Sequence, residues 1–191
     1  MKILFIVLCF QLMVAVSYGQ KHDNNSPKDS TQIIEDDQGF IVKVGQQAPD
    51  HFKLKLGNGI SSLKQLRGKV ILLQFTANWC EVCRGEMAYL ERDVWQVYRN
   101  RNFILIGIDV NEAPEVARKF HNDMQITYPL VPDPEEKIFG QYAGNLSGVA
   151  KNVVIDQFGK IVCLTSGFDL GEFGRMINII KTLTNTATGL N

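Results

Sequence analysis

Two cysteines three positions apart, Cys80 and Cys83, stand in the stretch Trp79-Cys80-Glu81-Val82-Cys83, directly after an apolar run. Thiols at this spacing can hold a metal, form a structural staple or run a redox cycle. Zinc takes four ligands, and the chain has no second CxxC and no histidine pair, since His22, His51 and His121 are scattered. No metal or other cofactor is expected. A staple across so short a loop gains little by chain entropy. Position favours redox chemistry. Val70 to Phe75 reads as a buried strand, and Met87, Leu90, Val94, Val97 and Tyr98 recur at helical intervals. The pair therefore opens a long helix running from about Cys80 to Asn100. At a helix start, free N–H groups and the dipole stabilise a thiolate at Cys80. Cys83, one turn on, shares that face and can close the disulfide.

The compartment must permit such chemistry. Lys2 followed by the apolar run Ile3 to Val16 and the small residues around Ser17-Tyr18-Gly19 reads as a secretory signal over 1–19, cleaved after Gly19. The alternative is an uncleaved anchor, although the run is shorter than the roughly 20 residues that span a bilayer. Cys9 falls inside the signal, leaving Cys80, Cys83 and Cys163 in the exported chain. Three cysteines cannot all pair within one chain, and a Cys80–Cys83 disulfide with Cys163 as a buried thiol is the simplest arrangement. Lysine plus arginine and aspartate plus glutamate both number 20, with no basic cluster, so a nucleic-acid partner is not expected.

The elements that position the pair follow from patterning. Residues 20–43 form a polar linker, and a domain spans 44–184 with a flexible tail at 185–191. Phe52 to Leu56 alternates and meets the turn at Gly57-Asn58-Gly59, an N-terminal β-hairpin. After the long helix, Phe103 to Asp109 is a second buried strand. A helix over Glu112 to Asn122 and a short strand at Pro129 to Val131 are inserted next, and a short helix over Glu135 to Tyr142 follows. Asn152 to Ile155 and Lys160 to Leu164 form a hairpin, and a helix from Gly171 to Leu183 ends the domain. The fold class is α/β, a mixed central sheet with helices on both faces, an N-terminal hairpin and an inserted helix and strand.

The segment "FTANWCEVCRGEM" in this order of elements, with "YPLVPDPEEKIFGQYA" and "VVIDQFGKI", resembles the exported TlpA/ResA-type thiol–disulfide oxidoreductases of the thioredoxin superfamily. The resemblance covers roughly 44 to 184 and implies a thioredoxin-like fold. It implies that Cys80 is the attacking thiol, Cys83 the resolving one and Glu86 the acidic residue that completes the catalytic set. Trp79 would pack beside the disulfide. Glu81, between the cysteines, would push the Cys80 thiol back up and favour a modest reductant over a strong oxidant. Gln74 occupies the position where thioredoxins carry a buried acid, which makes Glu86 the proton relay. The implied partners are exported proteins with disulfides, apocytochrome c among them, and a membrane thiol donor that keeps the pair reduced. The implied location is the periplasm or the outer face of the inner membrane.

Three departures stand out. Val82 replaces the proline usual before the second cysteine. Ala88 replaces a proline past Glu86, which predicts a straighter helix. Ala150 takes the place of the superfamily's cis-proline, in the loop that normally pairs with substrate backbone and keeps metals from the thiols. A cis bond before a residue other than proline costs about 2.5–4 kcal/mol. The Val149–Ala150 bond is therefore expected to be trans, or cis under strain, with the loop remodelled. Two alternatives to a disulfide reductase remain: a thiol peroxidase, although Thr76 lies one residue too far before Cys80, and a binding module with vestigial thiols.

Overall fold

The structure, a computed structural model, describes residues 38–57, 59–144 and 147–186. The expected signal, most of the linker and the end of the tail lie outside the described residues. A two-stranded antiparallel ribbon, β1 (Leu54–Leu56) and β2 (Gly59–Ser61), precedes a 3-10 turn at Leu63–Leu66. A five-stranded sheet follows, built from β3 (Val70–Thr76), β4 (Phe103–Val110), β5 (Leu130–Asp133), β6 (Lys151–Ile155) and β7 (Ile161–Ser166) in the order β5-β4-β3-β6-β7. Strands β3, β4 and β5 run parallel; β6 is antiparallel to β3 and β7 to β6. Every residue of β3 is buried, as its run, apolar except for Gln74 and Thr76, requires of a central strand covered on both faces.

The two faces are covered unequally. On one, Val70 and Leu72 of β3 pack under the active-site helix (Met87, Leu90, Val94), under Phe120 of α3 (Pro114–Asp123) and under Phe173, Met176 and Ile180 of α4 (Leu170–Thr186). On the other, Ile71, Leu73 and Phe75 meet the N-terminal segment, the ribbon, Leu63 of the first 3-10 turn and Phe139 of a second at Phe139–Gln141. Helical segments thus lie on both faces, with the α-helices of the described residues on one.

Four sequence expectations need correction. Packing starts ahead of residue 44, because Phe40 and Val42 are core residues, and Phe40 bridges to Ala143. The helix over Glu135 to Tyr142 shrinks to Phe139–Gln141. Glu136 adopts φ 52°, and the Asp133 carboxylate takes the N–H groups of Ile138 and Phe139 at 3.0 and 2.9 Å, a side-chain substitute for a preceding helical turn. The final helix reaches Thr186, beyond Leu183.

The active-site helix is not one straight α-helix. It runs as α1 (Glu81–Tyr89), a π-helical stretch (Leu90–Trp95) and a last turn, α2 (Gln96–Tyr98). Gln96 ties back to Glu91 five residues earlier through both its backbone N–H and its side chain, the latter at 2.5 Å. The Glu91 carboxylate also accepts the N–H and hydroxyl of Thr127 at 2.8 and 2.7 Å. These bonds tie the wider turn to the loop that follows α3.

Candidate active site

Strand β3 delivers the chain to the carboxyl edge of the sheet, where Cys80 N–H bonds the Ala77 carbonyl at 3.1 Å and turns it into α1. Cys80 is the N-cap of α1, and its Sγ accepts the Cys83 N–H at 3.2 Å, as a capping serine oxygen would. The two sulfurs form a disulfide, with Cα atoms 5.3 Å apart. Cys80 is half-buried and Cys83 is 0% exposed, so only one sulfur faces solvent. Trp79 and Val82 flank it at 65% and 50% exposure, and Glu81 is exposed in the first turn. Cys163 is free and buried on β7, where burial pushes its thiol up to about 11. That is the chemistry of a small core residue rather than a third redox thiol.

Glu86, one turn past Cys83, is 2% exposed. Its Oε1 accepts the Asn152 amide at 2.6 Å and its Oε2 the Gln74 amide at 3.4 Å. Burial pushes this carboxyl up to about 7 against the pull of those two donors. The sheet register builds the cradle: Gln74 pairs with Asn152 across β3 and β6, and Asn152 with Thr165 across β6 and β7. Asn152 also donates to the Thr165 hydroxyl at 3.1 Å. The Tyr128 hydroxyl donates to Gln74 Oε1 at 2.8 Å, which turns the Gln74 amide nitrogen toward Glu86. Gly107, opposite Gln74, makes room for that ring, since a Cβ there would lie 3.3 Å from it and 2.6 Å from Leu130 Cδ1. Asn152, Thr165 and Tyr128 are not among the site residues that the sequence motifs single out. Their one signal is polarity inside or beside apolar runs, which a buried strand tolerates only with a partner.

A second buried carboxyl, Asp109 at the end of β4, is 0% exposed, and neither oxygen has a hydrogen-bond partner among the described residues. Its strand neighbours explain this. Pro132 carries no side-chain donor, and the Thr76 hydroxyl sits 3.6 Å from Met87 Sδ instead. Burial, with the Glu112 charge adding to it, pushes Asp109 up to about 7.

No cis bond occurs among the described residues, so Val149–Ala150 is trans, as the cost of a cis bond before alanine favours. Val149 is buried and Ala150 half-buried in the apolar cluster that contains Cys83. Ala150 O accepts the Gly167 N–H at 2.7 Å, whereas Val149 makes no backbone hydrogen bond among the described residues. No group of three or more His, Cys, Asp or Glu placed to hold a metal occurs among those residues.

A mixed five-stranded sheet with a WCxxC disulfide capping the helix after its central strand defines a thioredoxin-like thiol–disulfide oxidoreductase of the TlpA/ResA type. The chain belongs to the AhpC/TSA family, whose model matches residues 44–163. Thiol-disulfide oxidoreductase ResA of Bacillus thuringiensis is 28% identical over 130 residues, covering 65% of this chain and 73% of that protein. A candidate protein disulfide isomerase from Bacteroides thetaiotaomicron, known as a solution structure, is 43% identical with a TM-score of 0.73, over 77% of this chain and 93% of that one. A candidate thiol:disulfide interchange protein DsbE from Chlorobium tepidum shares the fold, at 22% identity and a TM-score of 0.61, over 78% and 99%.

Proposed function

We propose that the protein is exported and reduces disulfides of exported proteins through Cys80 and Cys83. One observation carries this reading: of two bonded sulfurs at a helix start, one is half-buried beside an exposed Trp79 and the other is fully enclosed. In the reduced protein the Cys80 thiolate attacks one sulfur of a substrate disulfide, forming a mixed disulfide and expelling a substrate thiolate. Cys83 then loses its proton and attacks Cys80 Sγ. That step closes the Cys80–Cys83 disulfide and releases the second substrate thiolate, so two electrons pass from protein to substrate. Glu86, held near 7, takes the Cys83 proton at working pH. A thiol donor at the membrane returns two electrons and two protons. The thiol-disulfide oxidoreductase relatives support disulfide substrates, and the resemblance to TlpA/ResA-type proteins adds the cysteine pair of an apocytochrome c to the proposed protein substrates.

A peroxidase would need hydroxyl and guanidinium groups around the attacking sulfur. The Thr76 hydroxyl is engaged with Met87, and Arg84 reaches the Asn78 carbonyl at 3.4 Å and lies over the Phe120 ring. The test of the proposed steps is mixed-disulfide capture. Cys83→Ser protein mixed with native insulin should yield a covalent adduct that reductant dissolves, and Cys80→Ser protein should yield none. Adducts formed equally well through Cys83 would reverse the assigned roles; no adduct with either variant would remove the reading.

A further inference from the structure

Lys151 follows directly on the loop that lacks proline, and it is 0% exposed. Alternation along β6 sends its side chain to the face opposite Asn152, among the N-terminal segment and the Phe75 cluster. An ammonium withdrawn from water needs partners, and this one is built into the N-terminal segment. Its Nζ donates to the Gln38 carbonyl at 2.5 Å and the Ser166 hydroxyl at 3.0 Å, and stands 4.8 Å over the Phe40 ring. That segment is in turn laid against the approach to the loop. Ile41 N–H bonds the Tyr142 carbonyl, Gly144 N–H bonds the Gly39 carbonyl, both at 2.9 Å, and Gly39 (φ 79°) lies so close to Ser147 that a Cβ would come within 2.0 Å of Ser147 Cβ.

Ser147 begins the stretch that ends at Ala150. Phe75 pairs with Lys151 as the last rung between β3 and β6, and continuing that register sets Val149 opposite Ala77, whose carbonyl starts the turn into Cys80. Val149 makes no backbone hydrogen bond among the described residues and packs in the cluster that holds Cys83 and touches Cys80, so its backbone is the one beside the disulfide with which an extended segment of a protein substrate could pair. We infer that Lys151 is a positioning residue for protein substrates: it clamps the segment Gln38 to Val42 against Ser147 and so holds Gly148 to Ala150 in shape where proline would otherwise do so. This rests on the disulfide-reductase reading above and adds which residue shapes its substrate edge.

The experiment compares full-length wild type, Lys151→Met and Gly39→Ala in the dithiothreitol-driven reduction of insulin and of a small aromatic disulfide. Loss of a shaped edge raises KM for insulin roughly tenfold while kcat, and the rate with the small disulfide, stay within about twofold, the pattern of lost uniform binding. Gly39→Ala, which pushes the segment off Ser147 without touching β6, should move KM the same way. It decides the matter alone if Lys151→Met protein fails to fold. Unchanged KM in the folded variants, or an equal loss on both substrates, overturns the inference while wild-type activity keeps the reductase reading intact. A wild type that reduces neither substrate overturns both.

Discussion

Glu86 and Asp109 are both buried carboxyls on the helix-covered side of the sheet, and burial pushes each up to about 7. They differ in what surrounds them. Glu86 sits in a cradle of two amides, themselves oriented by Tyr128 and Thr165, one turn beyond Cys83. Asp109 has a proline on one side, a threonine turned away on the other and a like charge at Glu112. The relay role proposed for Glu86 calls for donors that support the charged form, and Glu86 has two where Asp109 has none among the described residues. The difference in donors is what the proposed relay role of Glu86 predicts to matter.

The largest expected effect of that difference is kinetic. Glu86→Gln should slow release of substrate from the mixed disulfide roughly 100-fold at pH 7 to 8, the scale of a lost general base, whereas Asp109→Asn should change it less than about twofold. Stopped-flow Trp79 fluorescence reads both. Equal slowing by the two variants would erase the distinction.

Stability comes next, and here the two groups should behave alike. A carboxyl whose folded pKa is raised holds its proton in the native state after the unfolded chain has lost it. Its contribution is therefore intact below the unfolded value, near 4, and is lost as pH rises to about 7. For Glu86 the loss is on the order of 3 kcal/mol. Urea unfolding across pH 4 to 8 should show wild type weakening with pH, and Glu86→Gln or Asp109→Asn each flattening the slope. A slope unchanged in Asp109→Asn would mean that its carboxyl is ionised and paired.

Asn152→Ala removes the donor 2.6 Å from Glu86, so the midpoint of the pH–rate profile should move to higher pH, with Asp109-dependent stability unaffected. Tyr128→Phe is the mildest change, costing about 1 kcal/mol by thermal unfolding through one lost hydrogen bond, with a small shift of the same midpoint in the same direction.

What could be read from the chain divides along the same line. Cys80, Cys83 and Glu86 share one helix, so their spacing alone sets them on one face, and the apolar runs of β3 and β4 announce central strands. Gln74 was legible only as a position lacking an acid. Its partner Asn152 reaches Glu86 through the antiparallel register of β3 and β6, which no local pattern encodes. Tyr128 arrives from the inserted segment after α3, and so does Thr127, which bonds Glu91 at the π turn. Asp109 looked like the polar end of an apolar run, and its isolation follows from Pro132 being the neighbour that β5 supplies. The trans Val149–Ala150 bond could be anticipated, because the cost of a cis bond there is a property of the residue itself.

The most direct test of the central claim, that Cys80 and Cys83 form a reversible redox pair working as a reductant, is a redox titration of the full chain followed by Trp79 fluorescence. The account predicts one two-electron transition with a potential near roughly −250 mV, close to thioredoxin. A value near about −120 mV, that of a strong oxidant, would reverse the direction of electron flow. The absence of any transition would contradict the claim outright.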